Sequence, residues 1–346
     1  MVRQQHDASD GADEKRAQRG TARPRIQEKS RMKAVRIHEF GDASNLRYEE
    51  IETPEPADDE VRVRIHAAGV NPADCKIRQG APFPIDLPWI PGWDIAGVVD
   101  EVGMDVTEFE PGDEVYGILP FPGDGGAYAE AVAVSPTEGK LGQKPESLSF
   151  EAAAGVPMAG LTAWRSMQLT DLKPGQRVLI HAAAGGVGHF AVQFAKRRGA
   201  HVIGTASGSN EEYLRDLGVD EFVNYREERF EDAIEPVDVV IDAIGGGTFT
   251  RSLEITKEGG VIDNLPLNLT PEQEEAADEH GIRVERSDTL DREWLDEITK
   301  LLEDGTVAPT LDTVFPLAEA QQAHELSENG HLCGKIILET REGDGN

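Results

Sequence analysis

From Lys173 onward the chain alternates short apolar runs with stretches of helical period, and this alternation narrows the possible folds more than any other feature. RVLIHA (177–182), HVIGTA (201–206), EFVNY (221–225) and VDVVIDAIG (237–245) are short and rich in β-branched residues, as buried strands are. Between the first three lie GGVGHFAVQFAKRRG (185–199) and NEEYLRDLG (210–218), each closed by a glycine suited to a helix C-terminus. FTRSLEITKEGG (249–260) reads as another helix, stopped by its paired glycines, with a strand following in VIDNL (261–265). Apolar strands joined by helices predict a doubly wound parallel α/β sheet.

The first turn of that sheet is HAAAGGVGHF (181–190). It keeps the second and third glycines of a G-x-G-x-x-G fingerprint and has Ala183 in place of the first. The loop follows a strand and opens a helix, the context in which a helix N-terminus cradles a pyrophosphate. The backbone of Ala184, Gly185, Gly186, Val187 and Gly188 is the expected cradle; a glycine-rich turn without a ligand is the alternative. An NAD site usually carries an acid about 20 residues on. GTASGSN (204–210) has none before Glu211, and Ser207 leaves room for a 2′-phosphate, with Arg226 a possible partner. NADP(H) is therefore the expected cofactor, and the serines as plain turn residues are the alternative.

The rest of the chain divides around this sheet. Residues 1–31 are polar, without apolar period, and read as a disordered arm; Met32 is a plausible natural start. Residues 32–155 read as a mostly β domain: VRVRIHAAGV (61–70) alternates with period two, and FEPGDEVYG (109–117) holds a turn. Ser149 caps a helix that is interrupted or restarted near Pro157. Residues 156–305 form the sheet domain, and residues 306–346, ending in GKIILE (334–339), return to the β domain, so the sheet domain reads as an insertion.

Composition excludes several functions. Lys and Arg number 34 against 65 Asp and Glu, a net charge of -31, which repels nucleic acid and anionic membrane. Residues 1–31 hold eight basic and five acidic residues, so the acid lies in the body, where lysine is scarce. Scattered acid with few lysines points to a protein kept soluble in high salt, as in a halophile. No apolar run reaches membrane-span length. Two cysteines, Cys75 and Cys333, fit a reducing cytoplasm.

AAGVNPADCKIRQG (67–80), PWIPGWDIAGVVDEVG (88–103), PGDEVYG (111–117), AGLTAW (159–164), HAAAGGVG (181–188) and HLCGKIIL (331–338), in this order, resemble the medium-chain dehydrogenase/reductase superfamily. The resemblance is specifically to its zinc-free, quinone oxidoreductase-like branch, over Met32 to Glu339. The resemblance implies a Rossmann sheet inserted into a GroES-like catalytic domain, and an NADPH-dependent reductase of quinones or α,β-unsaturated carbonyls, homodimeric and cytoplasmic. Zinc alcohol dehydrogenases of the superfamily place Cys where Asn71 stands and His-Glu where Trp93-Asp94 stand, so no zinc is expected. The resemblance puts Asn71 beside the nicotinamide, the alternative being a turn residue before Pro72. Lys76 would stabilise an enolate or donate a proton, or else form a surface salt bridge. Trp93 would wall the substrate pocket. Thr162 would lie near the nicotinamide, or else serve helix packing; Tyr225 would flank the adenosine, or else be a half-buried strand-end tyrosine; and Lys335 would approach the cofactor from the last strand. A non-catalytic, crystallin-like NADPH-binding protein and an alcohol dehydrogenase remain alternatives.

Overall fold

A computed structural model of the chain describes Met1 and residues 30–340. The expected disordered arm lies almost wholly outside the described residues. Six strands form one parallel sheet in the spatial order Glu221–Asn224, His201–Ala206, Arg177–Ile180, Val237–Asp242, Thr256–Asn264 and Arg283–Glu285. Every pairing in it is parallel. Numbered along the chain, the order is 3-2-1-4-5-6, that of a dinucleotide-binding sheet. The order reverses between Arg177–Ile180 and Val237–Asp242, and the crevice beyond their carboxyl ends is where such sheets take ligands. Val178, Leu179, Ile180, Val202 and Ile203 are all fully buried, as strands covered on both faces require.

Two details differ from expectation. The helix Gly247–Ile255 ends before the paired glycines, which lie inside the strand Thr256–Asn264. The glycine at 260 answers a close approach there: a Cβ on it would meet Asp238 O at 2.9 Å, beside a register shift at Val237–Val239. The strands Arg283–Glu285 and Leu311–Pro316 carry no clear buried-strand signature in the sequence, being short or half-exposed.

The second sheet has seven strands. Leu311–Pro316, Lys335–Glu339, Val61–Val70, Asp94–Val102, Glu114–Ile118 and Leu141–Gln143 follow one another, and Ala131–Val134 also pairs with Val61–Val70. The last strand lies antiparallel to Val61–Val70, with Ile336 opposite Val70, so Lys335 emerges where that strand runs into Asn71. Gly334 bridges Gly185 and donates its N–H to Ala184 O at 2.8 Å. This stitch ties the glycine-rich loop to the strand that carries Lys335. Ser149 Oγ caps the helix Phe150–Ala154, and a second helix, Pro157–Thr170, starts at Pro157.

Candidate active site

A cleft of about 810 Å³ opens at the reversal of the parallel sheet. Asn71, Lys76, Thr162, Ala184, Gly185, Gly186, Val187, Gly188, Ser207, Tyr225 and Lys335 all line it. Its walls come from both sheets.

The loop has the form of a pyrophosphate cradle. Gly185 is the N-cap of the helix Gly186–Arg197, whose first N–H groups have no intrahelical partner. A Cβ on Gly188 would lie 2.2 Å from Ala182 O, so this glycine lets the helix pack on its own loop. Gly185 is different: an added Cβ would meet only Ala182 O, at 3.3 Å, leaving its other side open. The left-handed turn that follows the strand is made by Ala182 (φ 51°), not by Ala183. Ala183 is fully buried and in contact range of Gly204, where a Cβ would sit 3.1 Å from the Ala183 methyl. The alanine in the first fingerprint position is thus matched by a glycine on the neighbouring strand. These features fit a dinucleotide pyrophosphate.

The far end of the cleft is polar: no acid follows the strand His201–Ala206, and Glu228, three residues past Tyr225, is the carboxylate that lines it. Ser207 follows the strand His201–Ala206, is buried, and places its Oγ 3.0 Å from Ser209 Oγ. Tyr225 is exposed, with its hydroxyl 3.1 Å from His331 Nδ1, and the Arg226 guanidinium lies 3.3 Å from the same nitrogen. A cation and an imidazole therefore stand at the mouth, contributed by segments 105 positions apart.

At the other end Asn71 opens the helix Pro72–Arg78. Its backbone N–H donates to Asp74 Oδ2 at 2.7 Å, so Asp74 closes the first turn. The Asn71 side chain turns the other way: Nδ2 donates to Asp94 Oδ2 at 2.9 Å, and Oδ1 accepts from Lys335 Nζ at 2.5 Å. Asp94 also accepts from the Met158 N–H at 2.7 Å, at the start of the helix Pro157–Thr170. Its carboxylate reaches this corner because residue 69 is glycine; a Cβ there would lie 2.8 Å from Asp94 Oδ2. Lys76 is exposed at the cleft wall on the same short helix.

A buried chain of hydrogen bonds supports this corner. Arg78 Nε donates to His324 Nδ1 at 3.2 Å, and a guanidinium only donates, so the neutral ring carries its hydrogen on Nε2. Burial lowers the His324 pKa to about 3, so the ring is neutral. Nε2–H then donates to the Tyr128 oxygen at 3.1 Å, and Tyr128 donates to Asp74 Oδ2 at 3.0 Å. Burial pushes the Asp74 carboxyl up to about 7. In the unfolded chain it titrates near ~4, so between ~4 and ~7 unfolding releases a proton that the folded state keeps. Its contribution to stability falls as pH rises through that window. Asp74→Asn keeps an acceptor and removes the titration. Its Tm relative to wild type is expected to climb from about pH 4 to about pH 7, by an amount worth a few kcal/mol at most. A constant difference across that range contradicts the assignment.

Trp93 does not line the cleft. It is fully buried behind the site in an aromatic cluster, with ring centroids 5.7 Å from Trp89, 5.2 Å from Phe121 and 6.1 Å from Phe83. It begins the turn into the strand Asp94–Val102, where neighbouring side chains face opposite ways, and Asp94 takes the site side. The zinc question has a chemical answer in the same place. The Asn71 amide and the Asp94 carboxylate are occupied by each other and by an ammonium, and Trp93 offers no ligand. This donor set does not fit a zinc ion. His181, at the base of the cleft, is a core histidine held between Thr205 and Ser252, with its pKa lowered by burial to about 3.

Arg251 lines the cleft but stands in no motif that marks a site, and His331, which opens HLCGKIIL (331–338), lines it although no role was expected of it. Only their position after folding brings them there.

The chain is similar to known proteins over most of its length. Residues 57–141 match the alcohol dehydrogenase GroES-like domain, and residues 217–338 match the zinc-binding dehydrogenase family. The 2-methylene-furan-3-one reductase of Solanum lycopersicum is 34% identical over 321 residues, covering 89% of this chain and 79% of the relative. The chloroplastic NADPH-dependent alkenal/one oxidoreductase of Arabidopsis thaliana is 35% identical over 319 residues, with the same coverages, 89% and 79%. The quinone oxidoreductase from Coxiella burnetii superposes with a TM-score of 0.86 at 39% identity, covering 90% of this chain and all of the other. The chain belongs to the medium-chain dehydrogenase/reductase superfamily.

Proposed function

We propose that the protein reduces quinones or α,β-unsaturated carbonyls with NADPH, without zinc in the step. The observation that carries this is one cleft joining a glycine cradle, with Ser207 rather than an acid after the strand His201–Ala206, to the Asn71 amide. Relatives named for alkenal/one and quinone reduction support the substrate class. When bound, NADPH supplies a hydride to the β-carbon of an enone or to a quinone ring, and negative charge gathers on the acceptor's oxygen. Asn71 has one Nδ2–H committed to Asp94 and one left to meet that oxygen. Lys76, exposed on the same wall, is the proposed proton source, delivering to the α-carbon or the reduced oxygen. Val70, Met158, Leu265 and Pro266 give the cleft apolar walls that hold a flat acceptor and limit water. Thr162 and Lys335 are assigned to the nicotinamide end, and Ser207 and Tyr225 to the adenosine end. Oxidation of NADPH by purified protein, across a panel of quinones and enones, tests the proposal. Turnover after exhaustive chelation, with no metal by elemental analysis, is expected. NADPH binding with no turnover on any acceptor overturns it in favour of a crystallin-like binding protein.

Arg226, its guanidinium donating to His331 Nδ1, supplies the positive charge for the 2′-phosphate that the Ser207 loop lacks. Arg226→Ala is expected to weaken NADPH by roughly 10- to 10²-fold and leave NADH nearly unchanged, the worth of a charge-assisted hydrogen bond. Equal loss for both nucleotides counts against this role.

Further proposals concern the whole protein. The division into residues 32–155 with 306–346, and 156–305, is proposed on the two separate sheets of the described residues. The protein is proposed to be a homodimer and cytoplasmic, and to work in high salt. With a net charge of -31, its Tm is expected to rise markedly as KCl is raised from millimolar to molar, because screening relieves self-repulsion. A flat or falling Tm contradicts the halophile reading.

A further inference from the structure

Lys335 has an ammonium group with three N–H donors and no acceptor. All three find oxygens: Val70 O at 3.1 Å, Asn71 Oδ1 at 2.5 Å and Asp94 Oδ2 at 3.1 Å. The partners lie 265, 264 and 241 positions away in the chain. Lys335 is 3% exposed and Asp94 is 0% exposed, so water does not compete for these bonds. The backbone of Lys335 is fixed as well, by its own N–H to Thr310 O at 2.9 Å and by the neighbouring Gly334–Ala184 bond. Its stem runs past the cradle: a Cβ on Gly186 would lie 3.0 Å from Lys335 Cδ. One side chain thus starts beside the glycine-rich loop and ends at Asn71.

The ammonium also removes an ambiguity in the Asn71 amide. A group that only donates faces Asn71, and so the atom facing it is Oδ1. A carboxylate only accepts, and so the atom facing Asp94 is Nδ2. Together they allow one amide orientation and leave the second Nδ2–H unclaimed by either. Without the ammonium, Asp94 would be a buried carboxylate short of a donor. The amide would then be free to rotate about its side-chain torsions, and its second N–H could be drawn to protein oxygens.

We propose that Lys335 is a positioning residue for the reaction. It acts through Asn71, fixing the amide so that an N–H faces the acceptor's oxygen, and it ties that corner to the cofactor cradle. This rests on the hydride-transfer reading given above.

The test compares wild type with Lys335→Met, the charge-balanced pair Lys335→Met/Asp94→Asn, Asn71→Ala and Lys335→Met/Asn71→Ala. For each, kcat with NADPH and an enone, the NADPH Kd by fluorescence titration, and Tm are measured. Lys335→Met is expected to lower kcat by about 10²-fold, the size of one lost oxyanion donor, with NADPH Kd within about twofold of wild type. The charge-balanced pair is expected to recover Tm and not kcat, which separates positioning from support of the fold. Adding Asn71→Ala to Lys335→Met is expected to cost little more, because both changes remove the same interaction. Three results would each overturn the proposal: a rise in NADPH Kd that accounts for the loss in kcat/KM, recovery of kcat in the charge-balanced pair, or losses that multiply in the Lys335/Asn71 pair. No turnover by the wild type overturns the functional reading and this proposal together. Turnover by the wild type with any of those three results overturns this proposal alone.

Discussion

Asn71→Ala is expected to lower kcat for an enone or quinone by about 10²–10³-fold, the range seen when one oxyanion donor is removed. NADPH should still bind, because the cradle and the Ser207 end are untouched. The reason lies in where charge appears. Hydride arrives at carbon, and the electrons it displaces collect on oxygen. The Asn71 N–H is useful only if it points at that oxygen and is not consumed by the protein. Its amide is held at both ends, by Lys335 and by Asp94, with one hydrogen left over. Asn71→Asp should be at least as harmful. It sets a second carboxylate beside Asp94, leaves no amide hydrogen, and adds like-charge repulsion in a buried place. A fall in NADPH affinity large enough to explain the lost activity would instead make Asn71 a cofactor ligand.

The second large effect is expected at the loop. Gly188→Val forces a Cβ to within 2.2 Å of Ala182 O and 2.7 Å of Ala183 Cα, both backbone atoms that cannot step aside cheaply. The helix Gly186–Arg197 must lift from its loop, and the cradle loses its shape. Loss of about 3 kcal/mol or more of stability and a fall of more than about 10²-fold in NADPH affinity are expected together. Gly185→Ala makes the contrast. Its Cβ meets only Ala182 O, at 3.3 Å, so Tm should barely change. Its open side faces the cleft, so NADPH affinity should drop while the fold holds. If Gly185→Ala leaves affinity intact, the pyrophosphate does not approach that glycine. If Gly188→Val is tolerated, the packing account of the fingerprint is wrong.

Much of this was readable in the sequence, for physical reasons. HVIGTA (201–206) is a strand to the residue, because an apolar run covered on both faces has few other fates. The restart at Pro157 was legible because proline cannot donate inside a helix and suits its first turn. The paired glycines Gly259–Gly260 misled, because glycine marks both helix ends and close strand approaches. Trp93 misled for a related reason: a motif names a residue without saying which face it takes, and here Asp94 took the site. The Asn71–Asp94–Lys335 cluster was only half legible. Each residue stands in a motif, yet their meeting depends on the last strand lying antiparallel to Val61–Val70, a pairing of distant segments that no local pattern encodes. Arg226 was legible only as a possible partner, since its contact with the His331 imidazole forms only after the fold brings their segments together.

The central claim is that hydride passes from the nicotinamide to the carbon end of a conjugated acceptor. It is tested most directly with NADPH deuterated at the transferring position and an enone substrate, locating the label in the product. One deuterium on the β-carbon of a saturated carbonyl product is predicted. Deuterium on the carbinol carbon of an allylic alcohol, or NADPH consumed with no label in the product, would contradict the account.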